Sequence, residues 1–419
     1  MRTVKRHLAI LTIGLALASG AANTAKATDV AQLRHGIGVG AMAWAAVEPG
    51  PAHAFVFPPF SGPPYALTFN ELQTLRRTGF DFIRLAVDPG PFLQFQAERR
   101  DQLDRVLLDR VRLILASGFS VLVDFHPSDM NPDYTAQALT AGRDAPVFQA
   151  YLRMLERSAA LLGGMHSARI ALEPMNEPPI APDAWQPMLE AAYAAARRGA
   201  PDLKLVLEGG DEASAPALMA MQTRKFAGDR NVFYAFHYYE PYQFTHQGAS
   251  WNPARYLADV PYPARARPLQ ESLAATAAAI AATSLSAPQK VLAELDAQMQ
   301  LRAYRQSAFD GGTIGRDFDR IAAWARTQGI TPDRILLGEF GARETSLQHD
   351  GVRAAERAQW FGDISRQADS HGFGWAVWAY RGDGGFALAR GDGSNEIEAN
   401  IAEALGLRPP SAEASPLTR

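Results

Sequence analysis

The 419-residue chain contains no cysteine. That absence excludes disulfide frameworks, cysteine-ligated zinc and thiol nucleophiles. The chain also has no excess of positive charge, because 41 Lys and Arg stand against 44 Asp and Glu for a formal charge of −3. A protein without a basic field attracts phosphate backbones weakly, so nucleic acid is not an expected partner. The 47% hydrophobic and 20% charged residues are ordinary for a globular protein and exclude a disordered or multi-span membrane chain.

Two common catalytic signatures are missing as well. The chain has no H-x-H pair, which a metal-dependent barrel hydrolase usually carries, and no G-x-S-x-G elbow for a serine nucleophile. The segment GIGVGAMAW, at the first predicted strand, does not contain the G-x-G-x-x-G of a dinucleotide-binding sheet. The sequence therefore gives no sign of a metal site, and it does not favour a doubly wound sheet, which is the alternative fold.

The N-terminus has the pattern of an export signal. Three basic residues within the first six precede an apolar run from Leu8 to Ala18, and an A-x-A sequence at 25–27 fits a cleavage site. The run is shorter than the ~20 residues that span a bilayer. Residues 1–27 are therefore predicted to be a signal peptide, with an uncleaved anchor as the alternative. The mature chain is expected to be exported, periplasmic or extracellular, without stable membrane insertion.

From residue 28 to 408 the sequence alternates between short apolar, β-branched runs and longer helical patterns. This alternation is typical of βα units around a parallel sheet, and about eight strands in one domain fit a (β/α)8 TIM barrel. The predicted strands are His35–Ala43, Phe80–Val87, Phe119–Phe125, Arg169–Met175, Lys204–Leu207, Val232–Phe236, Ile335–Gly338 and Phe373–Ala379. Residues 409–419 are predicted to be a loose tail.

A long helical insertion, at about 242–312, separates the sixth and seventh strands. Its Ala-rich part, Leu269–Thr283, and a second part, Pro288–Tyr304, have helical patterns. Segments that follow barrel strands lie over the C-terminal face, where barrel active sites form. We predict a substrate-side subdomain or lid, and the alternative is an accessory that packs on the flank of the barrel.

Polar and titratable residues lie at the end of nearly every predicted strand, on the same edge of the barrel. They are Arg84, Asp124, His126, Asn176, Glu177, His237, Tyr239, Glu339 and Trp378. In a (β/α)8 barrel this edge is where reactive groups converge. Asp124 and Glu173 fall inside strands, and we predict that they form hydrogen bonds within the barrel and do not react.

Two of these residues, Glu177 and Glu339, form a carboxylate pair. Strands four and seven nearly face each other across an eight-stranded barrel, which leaves roughly 5 Å between the carboxyl groups and suits double displacement. Glu177 follows Asn176 and faces a second carboxylate, so it is the predicted general acid/base. Glu339 is the predicted nucleophile, with Arg84 and the phenol of Tyr239 to stabilise its charge.

The segments around these residues resemble glycoside hydrolase family 5, the cellulase family of the clan of retaining (β/α)8 barrels. ALEPMNEP, which contains Glu177, is similar to the acid/base signature of that family, and LLGEFG, which contains Glu339, is similar to its nucleophile strand. The other matching segments are FIRL with Arg84, VDFHP with His126, the His-x-Tyr pair of His237 and Tyr239, and WAVWAY with Trp378. The matches follow one another in the family's order between about residues 35 and 385.

The resemblance implies the same two roles for the glutamates. It also implies that His126, Asn176 and His237 hold the −1 sugar or the catalytic carboxyls. Trp378 would form the floor of that subsite, because aromatic faces stack on pyranose rings. Further aromatic residues are candidates for lining subsites, namely Trp44, Tyr238, Tyr242 and Trp251.

The function implied by the family is hydrolysis of a β-linked polysaccharide or oligosaccharide without a cofactor. An endo-β-1,4-glucanase, or cellulase, is the first expectation. A β-mannanase, a β-1,3-glucanase and a hydrolase that trims the cell's own exopolysaccharide are alternatives, and an inactive polysaccharide-binding barrel is a remote one. The oligomeric state is left open.

Overall fold

The computed structural model describes residues 33–50, 53–344, 352–382, 384–390 and 394–408. Eight strands form a closed barrel in which each strand pairs with the next and β8 pairs in parallel with β1. The strands are β1 (His35–Met42), β2 (Phe82–Val87), β3 (Ser120–Phe125), β4 (Ile170–Glu173), β5 (Lys204–Glu208), β6 (Val232–His237), β7 (Ile335–Phe340) and β8 (Gly374–Val377). The predicted (β/α)8 barrel is confirmed.

Helices surround the barrel between successive strands. The α-helices are α1 (Phe69–Thr78), α2 (Gly90–Gln94), α3 (Ala97–Ala116), α4 (Ala136–Leu139), α5 (Pro146–Gly163), α6 (Pro182–Gly199), α7 (Gly210–Ala213), α8 (Ala215–Ala220), α9 (Tyr242–Thr245), α10 (Leu269–Ala281), α11 (Ala287–Ser307), α12 (Gly311–Thr327), α13 (Val352–His371) and α14 (Ala399–Ala404). Short 3₁₀ turns lie at Pro63–Tyr65, Pro132–Tyr134, Thr223–Lys225, Pro253–Tyr256 and Pro332–Arg334.

Local sequence signals account for the ends of these elements. At the start of α1, the Thr68 side chain accepts the Glu71 backbone N–H while the Glu71 carboxylate accepts the Thr68 N–H, which is a complete capping box. The same helix ends at Gly79, whose left-handed φ of 118° suits glycine. The helix therefore begins and ends where its own residues satisfy the free backbone groups.

The strand period of two places charged residues at the mouth of the barrel. Below the mouth, the interior is filled by apolar side chains, namely Leu33, Phe82, Leu122, Ala171, Val206, Ala235, Leu336 and Ala376. Side chains two positions apart on a strand point to the same face. The residues two positions after five of these are Arg84, Asp124, Glu173, Glu208 and His237, and all five are buried. The fold thus stacks a charged layer directly above an apolar one.

Between β6 and β7 the chain forms α9 to α12. The loop before α10 contacts α13, where Arg267 lies 2.9 Å from Glu356 and the Tyr262 hydroxyl donates to Asp363 at 2.7 Å, and α10 and α11 pack against each other. By contrast, α9 directly follows the strand-six residues at the mouth. The segment is therefore anchored to α13 through the loop before α10, and its placement as a lid or as a flank accessory stays a prediction.

Two predicted boundaries lie outside the described residues, namely the signal peptide at 1–27 and the tail at 409–419. Among the residues that the structure does describe, no helix combines the length and the apolar character needed to cross a membrane.

Candidate active site

Arg84 lies at the centre of the charged layer. Its side chain is fully buried on β2, and it donates through Nε and Nη2 to the two oxygens of Glu173 at 3.0 and 2.7 Å. The Nη2 atom also donates to Asn176 Oδ1 at 2.7 Å and lies 3.2 Å from Asp124 Oδ2. The Nη1 atom donates to Glu339 Oε1. One guanidinium thus joins strands β2, β3, β4 and β7 at the mouth.

Glu339 is held by two donors. Arg84 occupies its Oε1, and the Tyr239 hydroxyl donates to its Oε2 at 2.8 Å. Burial and the charges of Glu339 and Glu177 raise the pKa of Tyr239 well above its ordinary value, so the phenol remains a neutral donor. The Glu339 side chain is only 5% exposed. Its carboxylate is therefore fixed in orientation and shielded from bulk water.

Glu177 has a different environment. Its side chain is 35% exposed, and His237 Nδ1 lies 2.7 Å from its Oε1. Its backbone has a left-handed φ of 44°, which is uncommon for a residue with a side chain. One carboxylate oxygen of Glu177 and one of Glu339 lie within 4.8 Å of each other. The two carboxylates therefore meet across the mouth at close range, one open to solvent and one enclosed.

The contacts of His237 extend inward to Glu208. Its Nε2 lies 2.7 Å from Glu208 Oε1 as an ion pair, although the geometry is not that of an aligned hydrogen bond. Burial opposes the positive charge on His237, but Glu208 and Glu339 outweigh that effect and raise the pKa of His237 well above its ordinary value. Burial and the neighbouring Glu173 in turn raise the pKa of Glu208. The two residues titrate as a coupled pair.

An aromatic wall lies on the other side of the carboxylates. His126 stacks on Trp378 with 5.4 Å between ring centroids and an interplanar angle of 6°. His126 Nδ1 lies 2.9 Å from Asp124 Oδ2; burial opposes charging of the ring, but the Asp124 carboxylate outweighs it and raises the pKa of His126. Trp44 lies edge-on to both rings, at 5.6 and 6.1 Å, and is 43% exposed. His126 therefore covers one face of Trp378, and Trp44 lies exposed beside both rings.

Three further aromatic residues were candidates for subsites, and the structure shows that two of them are exposed and one is buried. Trp251 is 60% exposed and lies beside Gly384 after β8, while Tyr242 is partly exposed on α9. The expectation for Tyr238 is wrong, because this residue is 3% exposed and its hydroxyl donates to Asp317 on α12 at 2.6 Å. Tyr238 follows an inward residue on β6, so it faces the helices and not the mouth.

Several sets of donor atoms at the mouth lie close enough together to suggest a shared cation. Three groups of carboxylate and imidazole atoms each fit within 4.8 Å: Asp124, His126 and Glu339; Glu173, Glu208 and His237; and Glu177, His237 and Glu339. The charge of Arg84, which contacts Asp124, Glu173 and Glu339 directly, accounts for this crowding of acids. The arrangement therefore needs no metal to explain it.

Glu208 is the residue at the mouth that the sequence reasoning missed. The predicted fifth strand ended at Leu207, whereas β5 includes Glu208. The sequence did contain a pattern that could have identified Glu208. Val206 and Glu208 have the same two-residue spacing as Ala171 and Glu173 on β4 and Leu122 and Asp124 on β3. An apolar residue followed two positions later by an acid at a strand end marks the same inward layer.

The sequence also matches a known protein family. Residues 55–384 match the family described as Cellulase (glycosyl hydrolase family 5). The chain belongs to that family. The matched span contains every strand-end residue described above, from Arg84 to Trp378.

Two relatives are similar to part of the chain. Cellodextrinase A of Ruminococcus flavefaciens is 24% identical over 195 residues, which are 44% of this chain and 54% of that protein. Endoglucanase 3 of Fibrobacter succinogenes is 25% identical over 219 residues, 48% of this chain and 32% of that protein. The chain thus spans about half of the first relative and a third of the second.

Solved structures share the fold over most of the chain. A hyperthermophilic endo-β-1,4-glucanase in complex with substrate superposes with a TM-score of 0.63 at 18% identity, covering 90% of this chain and 97% of that one. The cellulose synthase subunit Z of Clostridioides difficile gives 0.61 at 17%, covering 89% and 99%. A family 5 xyloglucanase from Paenibacillus pabuli gives 0.63 at 13%, covering 90% and 98%. At these identities the likeness concerns the fold alone.

Proposed function

We propose that this protein is a retaining glycoside hydrolase that cleaves β-linked glucan, in the manner of an endo-β-1,4-glucanase. The observation that carries the proposal is the close approach of two unequal carboxylates, Glu177 and Glu339, whose oxygens lie within 4.8 Å. Retaining glycosidases place their carboxyl groups about 5–5.5 Å apart, whereas inverting enzymes leave a wider gap for water. The names of the relatives, a cellodextrinase and an endoglucanase, favour a glucan.

In the first step Glu339 acts as the nucleophile. Its Oε2 or Oε1 attacks the anomeric carbon while the bond to the leaving oxygen breaks, and Glu177 transfers its proton to that oxygen. Arg84 and Tyr239 orient the Glu339 carboxylate for the attack. The products are a glycosyl ester on Glu339, a free leaving group and an ionised Glu177.

In the second step water replaces the leaving group. The ionised Glu177 accepts a proton from the water as the water oxygen attacks the anomeric carbon and the ester bond to Glu339 breaks. The 35% exposure of Glu177 gives water access to this carboxylate, whereas Glu339 is enclosed. Two inversions at the anomeric carbon leave a product with the original β configuration.

The aromatic side chains near the carboxylates suit a sugar polymer as substrate. Trp378, His126 and Trp44 form one wall next to the carboxylates, and Trp251 lies exposed near Gly384. Exposed aromatic faces stack on the apolar faces of pyranose rings. We propose that Trp378 is the floor of the −1 subsite and that Trp44, Tyr242 and Trp251 contact sugars farther along.

A second candidate is the trimming of a glucan that the cell itself exports. Among the structures with this fold is one named a cellulose synthase subunit, and the export signal predicted at 1–27 would bring the enzyme to such a polymer. The bond chemistry is the same in both cases. They differ in the source of the substrate.

The test is hydrolysis of soluble polysaccharides by residues 28–419, measured as new reducing ends. The panel contains carboxymethylcellulose, lichenan, laminarin, galactomannan and xylan. We expect activity on the β-1,4-linked glucans, no activity in Glu339→Ala, and normal activity in the matched control Glu98→Ala, whose side chain is exposed on α3. Proton NMR of the first product on a short oligosaccharide should show the β anomer.

Other outcomes assign other functions. Cleavage of galactomannan or laminarin alone would make the protein a β-mannanase or a β-1,3-glucanase, and an α anomer as the first product would contradict the retaining mechanism. Tight binding of the host's own polysaccharide without turnover would support the inactive binding barrel.

A further inference from the structure

Glu208 takes no part in the two steps proposed above, yet it is as deeply placed as any residue at the mouth. It is the last residue of β5, and its side chain is fully buried. Burying a carboxylate costs free energy unless partners compensate. The partners of Glu208 are therefore informative about its role.

One carboxylate oxygen of Glu208 holds the backbone of Glu177. The Glu177 N–H donates to Glu208 Oε2 at 2.8 Å, and it does so from a residue with a left-handed φ of 44°. A left-handed backbone at a residue with a side chain persists only where its surroundings fix it. Glu208 thus helps to set the position from which the Glu177 side chain extends into the mouth.

The other oxygen of Glu208 faces His237. Both ring nitrogens of His237 lie 2.7 Å from a carboxylate oxygen, Nε2 from Glu208 and Nδ1 from Glu177. A neutral imidazole has one N–H and cannot place a proton between itself and both carboxylates. In a doubly protonated ring, Nδ1–H donates to Glu177, and the positive charge lies against Glu208 as an ion pair at 2.7 Å.

Other charged groups also face this pair. Glu173 on β4 adds negative charge beside Glu208, and Arg84 Nη2 on β2 lies 3.9 Å from Glu208 Oε1. On β7, Glu339 Oε2 lies 3.8 Å from His237 Nδ1. The acids around His237 outnumber the cations, and this surplus favours the charged ring.

We propose that Glu208 is the positioning residue of the acid/base carboxyl: it holds the Glu177 backbone and keeps His237 charged, with its Nδ1–H directed at Glu177. This inference rests on the proposed hydrolase function. The charged ring then stabilises the negative charge that forms on Glu177 when its proton moves to the leaving oxygen. Glu208 acts through His237 and through the backbone, and it does not touch the substrate.

The proposal predicts a dependence on the leaving group. An alkyl or sugar oxygen must be protonated as it departs, whereas a 2,4-dinitrophenolate departs without a proton. In Glu208→Gln the neutral amide can still accept the Glu177 N–H but loses the charge that sustains the His237 imidazolium. We expect kcat/KM for a cello-oligosaccharide to fall about 10- to 100-fold, and kcat/KM for the dinitrophenyl β-cellobioside to fall much less.

A spectroscopic measurement tests the charge of His237 without relying on activity. Nitrogen-15 NMR of histidine-labelled protein distinguishes the imidazolium from the neutral ring, and a His237→Gln sample identifies the resonance. We expect His237 to be charged at pH 7.5 in the wild type and to titrate about one pH unit lower or more in Glu208→Gln. This measurement also covers the case in which the variant folds poorly, because a neutral His237 in the wild type overturns the proposal.

Asp81→Asn is the matched control, because it removes a partly buried carboxylate at the opposite end of the barrel, where Asp81 accepts the backbone N–H groups of Arg34 and His35. It should change neither the His237 titration nor the ratio of the two rates. Equal losses on both substrates in Glu208→Gln, or an unchanged His237, would overturn the inference. A wild type with a charged His237 but no hydrolysis of any glycan would instead count against the proposed function.

Discussion

Replacement of Arg84 by methionine is the sharpest test of the charged layer. Arg84 is fully buried and lies within 4.0 Å of four carboxylates, and its donors reach both oxygens of Glu173 and one of Glu339. Removing one partner of a buried ion pair costs about 3–5 kcal/mol, because the other partner stays buried without compensation. With several acids affected, we expect the free energy of unfolding at pH 7 to fall by at least about 3–5 kcal/mol, and hydrolysis to be lost.

The pH dependence of the free energy of unfolding provides a second test. In Arg84→Met the buried carboxyl groups bind protons more readily in the folded state than in the unfolded state, so the stability that the variant loses relative to the wild type should be smaller at pH 5 than at pH 7. Urea denaturation at the two pH values measures this. The control is Arg197→Met, because Arg197 is largely buried but pairs with one carboxylate, Asp229, at 2.6 Å. If the two variants lost equal stability, or if the loss in Arg84→Met relative to the wild type were as large at pH 5 as at pH 7, the account of the layer would be wrong.

Three further predictions follow from single contacts. A Cβ on Gly38 would lie 2.3 Å from Trp378 Cε3, so Gly38→Ala should displace that ring. We expect KM to rise in steady-state kinetics, with little change in the thermal unfolding temperature. Burial, reinforced by the nearby Arg343, lowers the pKa of His246 from 6.5 to about 4, so the unfolded state binds a proton there between these values. The protein should therefore lose about 2 kcal/mol of stability from this residue between pH 7 and pH 5, and His246→Gln should lose correspondingly less in urea titrations. Trp251→Ala should leave kcat on short aryl cellobiosides unchanged and should raise KM several-fold on polymer, because Trp251 is exposed and forms no hydrogen bond with either carboxylate among the described residues; an equal effect on both substrates would contradict this role.

The barrel could be predicted from the sequence because its two periodicities are strong. Segments such as FDFIRLAV are apolar on both faces, as buried parallel strands are, and long amphipathic patterns separate them. The predicted strand limits differ from the structure mainly at the ends, where β8 stops at Val377 and not at Ala379. Because the strands are parallel and form a closed barrel, their C-terminal ends meet at one mouth. Residues far apart in sequence could therefore be assigned to one site.

Side-chain direction at the mouth was harder to predict. Tyr238 and Tyr239 are adjacent in the sequence, but only Tyr239 points inward to Glu339, and Tyr238 contacts α12. The alternation of faces along β6 contains this information once the strand is known to extend through His237. Glu208 was missed for the same reason, because the end of its strand was placed one residue early.

The described contacts also explain how two glutamates can take different roles at one site. Glu339 is held by a guanidinium and a phenol, neither of which exchanges a proton near neutral pH, so its carboxylate has donors that do not change during the reaction. Glu177 instead contacts an imidazole, whose charge depends on its own neighbours, and it is the more exposed of the two. A carboxyl that must lose and regain a proton in each cycle needs a partner that responds to charge. The difference between the two roles therefore lies in the donors that each glutamate meets, and those donors are supplied by the strands on either side of the mouth.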